Sequence, residues 1–249
     1  MSERPVFDGA VRILSSETVD GVCVLSLDAP RQCIGAGPGQ YVLLRHESGP
    51  FLPRPLSIVS DEGGLLIAAN LWGAGTQAIA SAPVGDVLNL TGPLGNAFSN
   101  VDEPLTMVTD LSHVGGVLAF AVARQRADDV LLMVADSASE RRSLDRLCAV
   151  AGVTHRLVSS DEAERALTDC PARLAISVKD HVALIVQRFA ATHGWPGEVL
   201  LHAVLACGLG ACHACVHPMR EDQPILVCDG PVFDLQAPDF RHNQRQAAA

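Results

Sequence analysis

The chain has 249 residues, of which 48% are hydrophobic, so it can fill the core of one large domain or of two modest ones. Its 28 acidic residues outnumber its 18 basic residues, and the net charge of -10 excludes nucleic acid and anionic lipid as partners recruited by charge. The longest apolar run is far shorter than the ~20 residues of a membrane-spanning helix, and residues 1–8 contain no signal-peptide core. We therefore expect a soluble, cytoplasmic protein.

Six short stretches in the first hundred residues have the pattern of β-strands separated by turns. The turn dipeptides Pro38-Gly39 and Gly92-Pro93 lie between or beside them. The predicted strands are residues 10–15, 21–27, 40–45, 56–60, 64–70 and 87–92. Short strands separated by turns in this way predict a small antiparallel barrel.

Two segments of this barrel could hold a pyrophosphate and a ring system. Arg54-Pro55-Leu56-Ser57 places a guanidinium, which is a planar phosphate clamp, and a hydroxyl at the start of a strand. In Gly73-Ala74-Gly75-Thr76 the glycines let backbone amides approach the same anion before Thr76 opens a helix. Taken alone, the first segment also fits an ordinary strand start.

The next part of the chain has the pattern strand, helix, strand, over residues 105–109, 115–126 and 130–135. A strand that feeds a helix and then a second strand is typical of a doubly wound α/β domain. We therefore expect such a domain to follow the barrel.

Eight cysteines in a chain without a secretory signal need an explanation other than disulfides. Four of them are scattered among apolar neighbours and are interpreted as buried small hydrophobes: Cys23, Cys33, Cys148 and Cys170. The other four have the spacing C-x4-C-x2-C-x12-C, which is typical of plant-type [2Fe-2S] proteins: Cys207, Cys212, Cys215 and Cys228.

The residues between these cysteines favour a cluster loop over the alternatives. Gly208 and Gly210 permit the tight turns that direct backbone amides towards the sulfurs. A structural zinc site is the main alternative, but it usually has two close cysteine pairs, and this loop has only one. His213 and His217 could replace ligands in a Rieske-like site, but four cysteines already complete the set, so we interpret both as neighbouring or surface residues.

The motifs, taken in order, resemble one family. They are Pro38-Gly39-Gln40-Tyr41, Arg54-Pro55-Leu56-Ser57, Gly73-Ala74-Gly75-Thr76, Gly92-Pro93-Leu94-Gly95-Asn96-Ala97-Phe98, the cysteine loop and Asp229-Gly230-Pro231-Val232-Phe233. Together they resemble the electron-transfer subunit of class 1B dihydroorotate dehydrogenase, a member of the ferredoxin reductase-like flavoproteins. The resemblance spans nearly the whole chain.

The resemblance implies three domains, two cofactors and a partner. The domains are an FAD-binding β-barrel over residues 1–101, a doubly wound α/β domain of the NAD-binding type over 102–196, and a [2Fe-2S] lobe over 197–249. The residues that would contact FAD are Arg54, Pro55, Leu56, Ser57, Ala68, Ala69, Asn70, Gly75 and Thr76, with Ser57 near the flavin ring. The cluster would relay single electrons to FMN in a separate catalytic subunit, in a heterotetramer of two of each. This chain would then carry out no orotate chemistry itself.

Three segments depart from the family pattern where NAD would bind. The glycine-rich turn is replaced by Thr109-Asp110-Leu111-Ser112-His113, the Cys-Gly-Pro segment by residues 177–182, and another glycine is missing from residues 135–139. An acidic residue repels a pyrophosphate, and side chains fill the space that a close backbone approach needs.

We therefore expect the chain to keep flavin and cluster but to have weakened or lost direct exchange with NAD(H). Three alternatives stay open. One is a divergent but working nicotinamide site. The second is a self-sufficient NAD(P)H-dependent reductase that serves a ferredoxin, hydrogenase or oxygenase. The third is a cluster-bearing scaffold with no flavin.

Overall fold

The computed structural model describes residues 6–19, 21–28, 30–60, 64–124, 126–203, 205–221 and 223–241. These residues form a β-barrel, an α/β sheet with its helices, and the cysteine loop. None of the helices among them is both long enough and apolar enough to cross a membrane.

The first part of the chain is a closed antiparallel barrel, as the strand spacing predicts. Its strands are β1 (Phe7–Val19), β2 (Val22–Leu27), β3 (Tyr41–Arg45), β4 (Arg54–Ser60), β5 (Leu65–Asn70) and β6 (Val87–Leu94), and their order around the barrel is β1-β2-β5-β4-β3-β6. Buried and half-buried residues alternate along β5, because one face of each strand points into the barrel. The interior is filled by aliphatic side chains such as Leu25, Ile67 and Leu88.

The second part is a six-stranded α/β sheet with the order β14-β11-β10-β7-β8-β9. Its strands are β7 (Thr106–Asp110), β8 (Val130–Val134), β9 (Arg156–Val158), β10 (Leu174–Ser177), β11 (Gly197–Leu200) and β14 (Val232–Asp234). All pairs are parallel except β11 with β14. Every residue of β7 is buried, as expected for a central parallel strand with helices on both faces.

Helices follow most of these strands. They are α2 (Val114–Arg124), α3 (Ala138–Ala151), α4 (Ala163–Leu167) and α5 (Asp180–His193), while α1 (Ala74–Ala80) belongs to the barrel half. The predicted strand-helix-strand unit is thus present as β7, α2 and β8, although residue 125 of the predicted helix lies outside the described residues. Ser137 and Glu140 start α3 with a reciprocal capping box, and Gly152 ends it in the left-handed conformation.

The cysteine loop lies between β11 and β14, and it is followed by a small hairpin of β12 (Val216–His217) and β13 (Ile225–Leu226). Short 3-10 helices occupy Arg31–Cys33, Ser160–Glu162 and Val227–Asp229. Because β11 and β14 both belong to the α/β sheet, the cluster loop is anchored at both ends in that sheet. The boundaries of the three predicted domains stay predictions.

The barrel and the α/β half are held in close contact by glycines. A Cβ added to Gly115 of α2 would lie 3.0 Å from the Ser57 Cβ of β4. The next residue, Gly116, gives the same helix a close approach to Leu200 of β11. A larger residue at Gly115 would push α2 away from β4, so this glycine fixes the distance between the two halves. Gly116 fixes the distance between α2 and the sheet of its own half.

A buried ion pair supports the start of the α/β half. Arg124 Nε donates to Asp129 at 2.7 Å, and both side chains are 5% exposed. The same guanidinium also donates to the carbonyl oxygens of Val101 and Glu103. It therefore ties the end of α2 to the segment that leads into β7.

We expect Arg124→Ala to lower the free energy of unfolding by about 3–5 kcal/mol, because the Asp129 carboxylate would stay buried without its counter-ion. For a chain of this size, this corresponds to a fall in melting temperature of roughly 10 °C. The matched control is Arg126→Ala, since Arg126 pairs with Asp128 and these side chains are 36% and 51% exposed. The control should cost at most about 1 kcal/mol. Equal melting shifts, measured by circular dichroism, would contradict the expectation.

Candidate functional site

A cavity of about 580 Å³ lies between the barrel and the α/β half. It is lined by all nine residues that the sequence resemblance assigns to FAD: Arg54, Pro55, Leu56, Ser57, Ala68, Ala69, Asn70, Gly75 and Thr76. Strand β4 carries the first four, β5 the next three and α1 the last two. The register of β4 and β5 places Ser57 directly opposite Ala68. The fold therefore brings the whole predicted set to one cavity.

Arg54 offers unused hydrogen-bonding capacity beside this cavity. Its Nη2 donates to the Leu52 carbonyl oxygen at 3.2 Å, whereas its Nε is buried and has no hydrogen-bond partner among the described residues. An unsatisfied buried donor costs about 1–3 kcal/mol, so a bound anion would relieve that cost. A Cβ on Gly75 would lie 2.5 Å from Arg54 Nε, which shows how closely α1 approaches the guanidinium. These residues fit the pyrophosphate of a dinucleotide.

Thr76 has a different local role from the one that its position in the sequence suggests. We expected the helix to begin at Thr76, but α1 begins two residues earlier, at Ala74. The Thr76 hydroxyl donates to the Gly73 carbonyl oxygen at 3.1 Å. Its hydroxyl therefore stabilises the first turn of α1, while the residue still lines the cavity.

The opposite wall of the cavity comes from the start of α2 and from the segment after β11. Ser112, His113, Val114 and Gly115 form the first part, and His202 forms the second. Asn70 ties the two walls together, because its Nδ2 donates to the Ser112 carbonyl oxygen at 3.1 Å. None of these five residues is among those that the sequence predicts for the cofactor site.

A buried carboxylate organises this second wall. Asp110 Oδ1 accepts hydrogen bonds from the backbone N–H groups of Ser112 and His113, at 2.8 and 3.1 Å, and lies 2.8 Å from His113 Nδ1. Its Oδ2 accepts from the Lys179 N–H at 2.7 Å. Burial alone would raise the pKa of Asp110, but the hydrogen bond and charge of His113 and the Lys179 N–H together lower it below its usual value. The carboxylate is therefore ionised at neutral pH.

His202 is held against His113 by a second set of contacts. The two rings meet edge to face with centroids 4.5 Å apart, and His202 Nε2 lies 2.8 Å from the Ser177 hydroxyl. The surrounding protein, together with the neighbouring His113, lowers the pKa of His202 below its usual value. The residue is exposed and lines the cavity.

The four clustered cysteines lie as two pairs. Cys215 Sγ is 3.3 Å from Cys228 Sγ, and Cys207 is within hydrogen-bonding reach of Cys212. Cys215 and Cys228 are buried, whereas Cys207 is half-buried and Cys212 is exposed. Over the described ranges no three His, Cys, Asp or Glu side chains surround a single metal-ion position. Two thiolate pairs are what a [2Fe-2S] cluster needs, because each of its irons takes two protein ligands.

Backbone amides converge on the sulfurs of this loop. The N–H groups of Leu209 and Cys212 lower the pKa of Cys207 to about 7, and the Leu209 nitrogen lies 3.4 Å from its Sγ. Burial and the neighbouring Cys215 raise the pKa of Cys228 to about 11, although the Gly210 N–H acts in the opposite direction. Gly208 and Gly210 have φ of +67° and +74°, values that favour glycine. The turns that the spacing predicts are therefore present, and they supply the amides that a thiolate-ligated cluster needs.

The two histidines beside the cysteines lie in different environments. His213 is exposed and has a positive φ of 56°. His217 is buried, and its ring lies 6.0 Å from the ring of Phe240.

The barrel, the cavity and the cysteine loop meet at one place. The Tyr41 hydroxyl lies 3.1 Å from the carbonyl oxygens of both Gly208 and Cys228. A smaller cavity of about 90 Å³ lies beside it, and Ser57 and His202 line both cavities. Val227, the residue before Cys228, also lines the smaller one. The smaller cavity therefore extends from residues that line the larger cavity to the residue next to Cys228.

Comparisons with known proteins agree with this arrangement. Residues 202–237 match the iron-sulfur cluster binding domain of dihydroorotate dehydrogenase B. The electron transfer subunit of dihydroorotate dehydrogenase B (NAD(+)) from Geobacillus kaustophilus is 30% identical over 223 residues, which cover 79% of this chain and 84% of that protein. The corresponding subunit from Caldanaerobacter subterraneus is 25% identical over 216 residues, with the same coverage. These similarities confirm the resemblance that the motifs predict.

Solved structures confirm the predicted fold. A chain of NADH-dependent reduced ferredoxin-NADP oxidoreductase superposes with a TM-score of 0.76 at 20% identity, covering 95% of this chain and 92% of that one. The FAD/NAD binding domain of nitric oxide dioxygenase from Vibrio cholerae gives a TM-score of 0.60 at 16% identity, covering 78% of this chain and 99% of that domain.

Proposed function

The chain belongs to the family of electron-transfer subunits of dihydroorotate dehydrogenase B, and from this premise we propose how its residues carry electrons. FAD occupies the 580 Å³ cavity, and a [2Fe-2S] cluster is held by Cys207, Cys212, Cys215 and Cys228. The observation that carries the proposal is that the cavity shares Ser57 and His202 with a smaller cavity that reaches Val227, next to Cys228.

The barrel residues bind and orient the flavin. Arg54 clamps the pyrophosphate with its guanidinium, whose buried Nε lacks a partner among the described residues. Ser57 lies near the flavin ring, and Ala68 and Ala69 leave room for it because their side chains are small. Pro55, Leu56, Asn70, Gly75 and Thr76 complete the pocket.

The cofactors supply complementary chemistry: a flavin accepts two electrons together and releases them singly, whereas a [2Fe-2S] cluster passes one at a time. The loop residues exclude water from Cys215 and Cys228, and the amides of Leu209 and Gly210 stabilise negative charge on the sulfurs. Such amides help to set the reduction potential of a cluster.

The partner is a catalytic subunit, as the names of the relatives imply. We propose that it contains FMN and that two of each chain form a heterotetramer in the cytoplasm. This chain would deliver or accept single electrons and would leave the conversion of dihydroorotate to the partner.

We propose that direct exchange with NAD(H) is weakened in this chain. In doubly wound folds the N–H groups at the start of the first helix bind the pyrophosphate of the nucleotide. In this chain the Asp110 carboxylate accepts hydrogen bonds from the N–H groups of Ser112 and His113, just before α2. The site that would attract an anion is therefore already occupied by a negative charge of the protein itself.

Two more carboxylates lie at the same edge of the sheet. Asp136 follows β8, and hydrogen bonds from the Ser160 N–H and hydroxyl lower its pKa. Glu140 lies in the first turn of α3 and belongs to its capping box. Its pKa is lowered although burial opposes the shift, because the Asp136 N–H and Lys179 favour its charged form. Three ionised carboxylates, with Lys179 paired to Glu140 at 3.3 Å, disfavour the negative charge of a dinucleotide.

We expect Arg54→Gln to weaken FAD binding by roughly 10- to 100-fold, because a charge-assisted hydrogen bond contributes about 1.5–3 kcal/mol. Flavin content of the purified protein and titration of the apoprotein with FAD measure the effect. The matched control is Arg12→Gln, since Arg12 lies on β1 and donates to the Gly85 carbonyl oxygen, away from the cavity. An Arg54 variant that binds FAD as tightly as the control would rule out the proposed clamp.

We expect stoichiometric NADH to leave most of the bound flavin oxidised, because the displaced pyrophosphate contacts would cost NADH at least about tenfold in affinity. Flavin absorbance is followed during anaerobic titration of the purified chain. Dithionite is the positive control and should bleach the same flavin. Fast, stoichiometric bleaching by NADH would show a working nicotinamide site and would favour a self-sufficient reductase.

A further inference from the structure

An acid-base pair lies in the wall of the flavin cavity, at the place where α2 begins. The His113 ring lines the cavity, and its Nδ1 is 2.8 Å from the buried Asp110 carboxylate. Because Asp110 engages Nδ1 and also orients the ring, Nε2 is the nitrogen left to exchange a proton with another group. Asp110 itself is fixed by three backbone N–H groups, those of Ser112, His113 and Lys179.

The surroundings of His113 contain few competing charges. The other ionisable side chains that line the cavity are Arg54, on the barrel wall, and His202. His202 meets the His113 ring edge to face at 4.5 Å, and its Nε2 lies 2.8 Å from the Ser177 hydroxyl. Behind Asp110, the ammonium group of Lys179 pairs with Glu140. His113 is thus the cavity histidine that has a carboxylate partner.

Electron transfer between the flavin and the cluster, as in the proposed function, requires a proton at the flavin. A hydride carries its own proton equivalent, whereas electrons that arrive singly through an iron-sulfur cluster bring none. A flavin held in the cavity would need one proton for every two electrons it takes up, and would release that proton on reoxidation. A chain that exchanges electrons with a cluster and not with NADH therefore needs a proton donor and acceptor beside the ring.

We propose that His113, positioned by Asp110, donates this proton to the flavin on reduction and takes it back on oxidation. The inference rests on the proposed function, because it assumes FAD in the cavity. The electrons come one at a time from the cluster, which the partner's redox centre reduces. The proton leaves the imidazolium, and the neutral ring is then reprotonated from solvent at the cavity.

The test compares His113→Gln and His113→Ala with the parent chain, all as purified holoprotein. The matched control is His155→Gln, because His155 also pairs with a carboxylate at 2.8 Å, that of Asp145, but lies outside the cavity lining. Flavin content is measured first. The rate of flavin bleaching by dithionite, a one-electron donor, is then followed by stopped flow from pH 5.5 to 9, in H2O and in D2O.

Both His113 variants should keep their flavin and bleach about 100-fold more slowly than the parent, which is the usual size of a general acid contribution. They should also lose the dependence of the rate on pH that the parent chain shows. Added imidazole should restore the rate of His113→Ala. The His155 variant should match the parent in rate, pH profile and solvent isotope effect.

Two results would overturn the inference while leaving the proposed function intact. The first is a His113→Gln variant with full flavin content, the parent rate and the parent pH profile. The second is loss of flavin from both His113 variants, which would make His113 a packing residue. A parent chain that binds no FAD would overturn both this inference and the proposed function.

Discussion

The contact between Tyr41 and the cysteine loop is the constraint on which the rest of the arrangement depends. Its hydroxyl lies 3.1 Å from the carbonyl oxygens of Gly208 and Cys228, so it joins both ends of the loop to β3 of the barrel. Tyr41 is also the register partner of Ser57, which lines the flavin cavity. One pair of barrel strands therefore fixes where the cysteine loop and the cavity proposed for the flavin lie relative to each other. Burial and the neighbouring thiols raise the pKa of Tyr41, so its hydroxyl keeps the proton that it donates to these carbonyl groups.

Features that depend on neighbours in sequence could be predicted from the sequence. The barrel strands follow from alternation and turn residues. The four cysteines proposed as cluster ligands have a spacing that only a few kinds of site use. The motif at Arg54, taken alone, also fits an ordinary strand start. Its interpretation as a cofactor-binding segment depends on the order of the other motifs. The contacts that sequence reasoning missed join distant segments: His202 meets His113 only because β11 and β7 lie in one sheet beside β10. Nothing local to His202 signals that contact.

The segment after β7 illustrates how a departure from a family pattern can be both a loss and a gain. Thr109-Asp110-Leu111-Ser112-His113 stands where the resemblance leads us to expect glycines, and in the structure Asp110 accepts hydrogen bonds from the N–H groups of Ser112 and His113. The same carboxylate orients His113 into the wall of the flavin cavity. The sequence alone predicted only that exchange with NAD(H) is weakened or lost. The side-chain geometry was needed to infer that Asp110 and His113 act as an acid-base pair.

The most direct test of the account is chemical analysis of anaerobically purified protein, with electron paramagnetic resonance before and after reduction by dithionite. The account requires roughly two irons and two acid-labile sulfides per chain, with one FAD, and a paramagnetic signal that appears only on reduction. Four zinc-binding thiols, with neither iron nor sulfide, would leave no carrier between the flavin cavity and the partner. That composition would contradict the central claim.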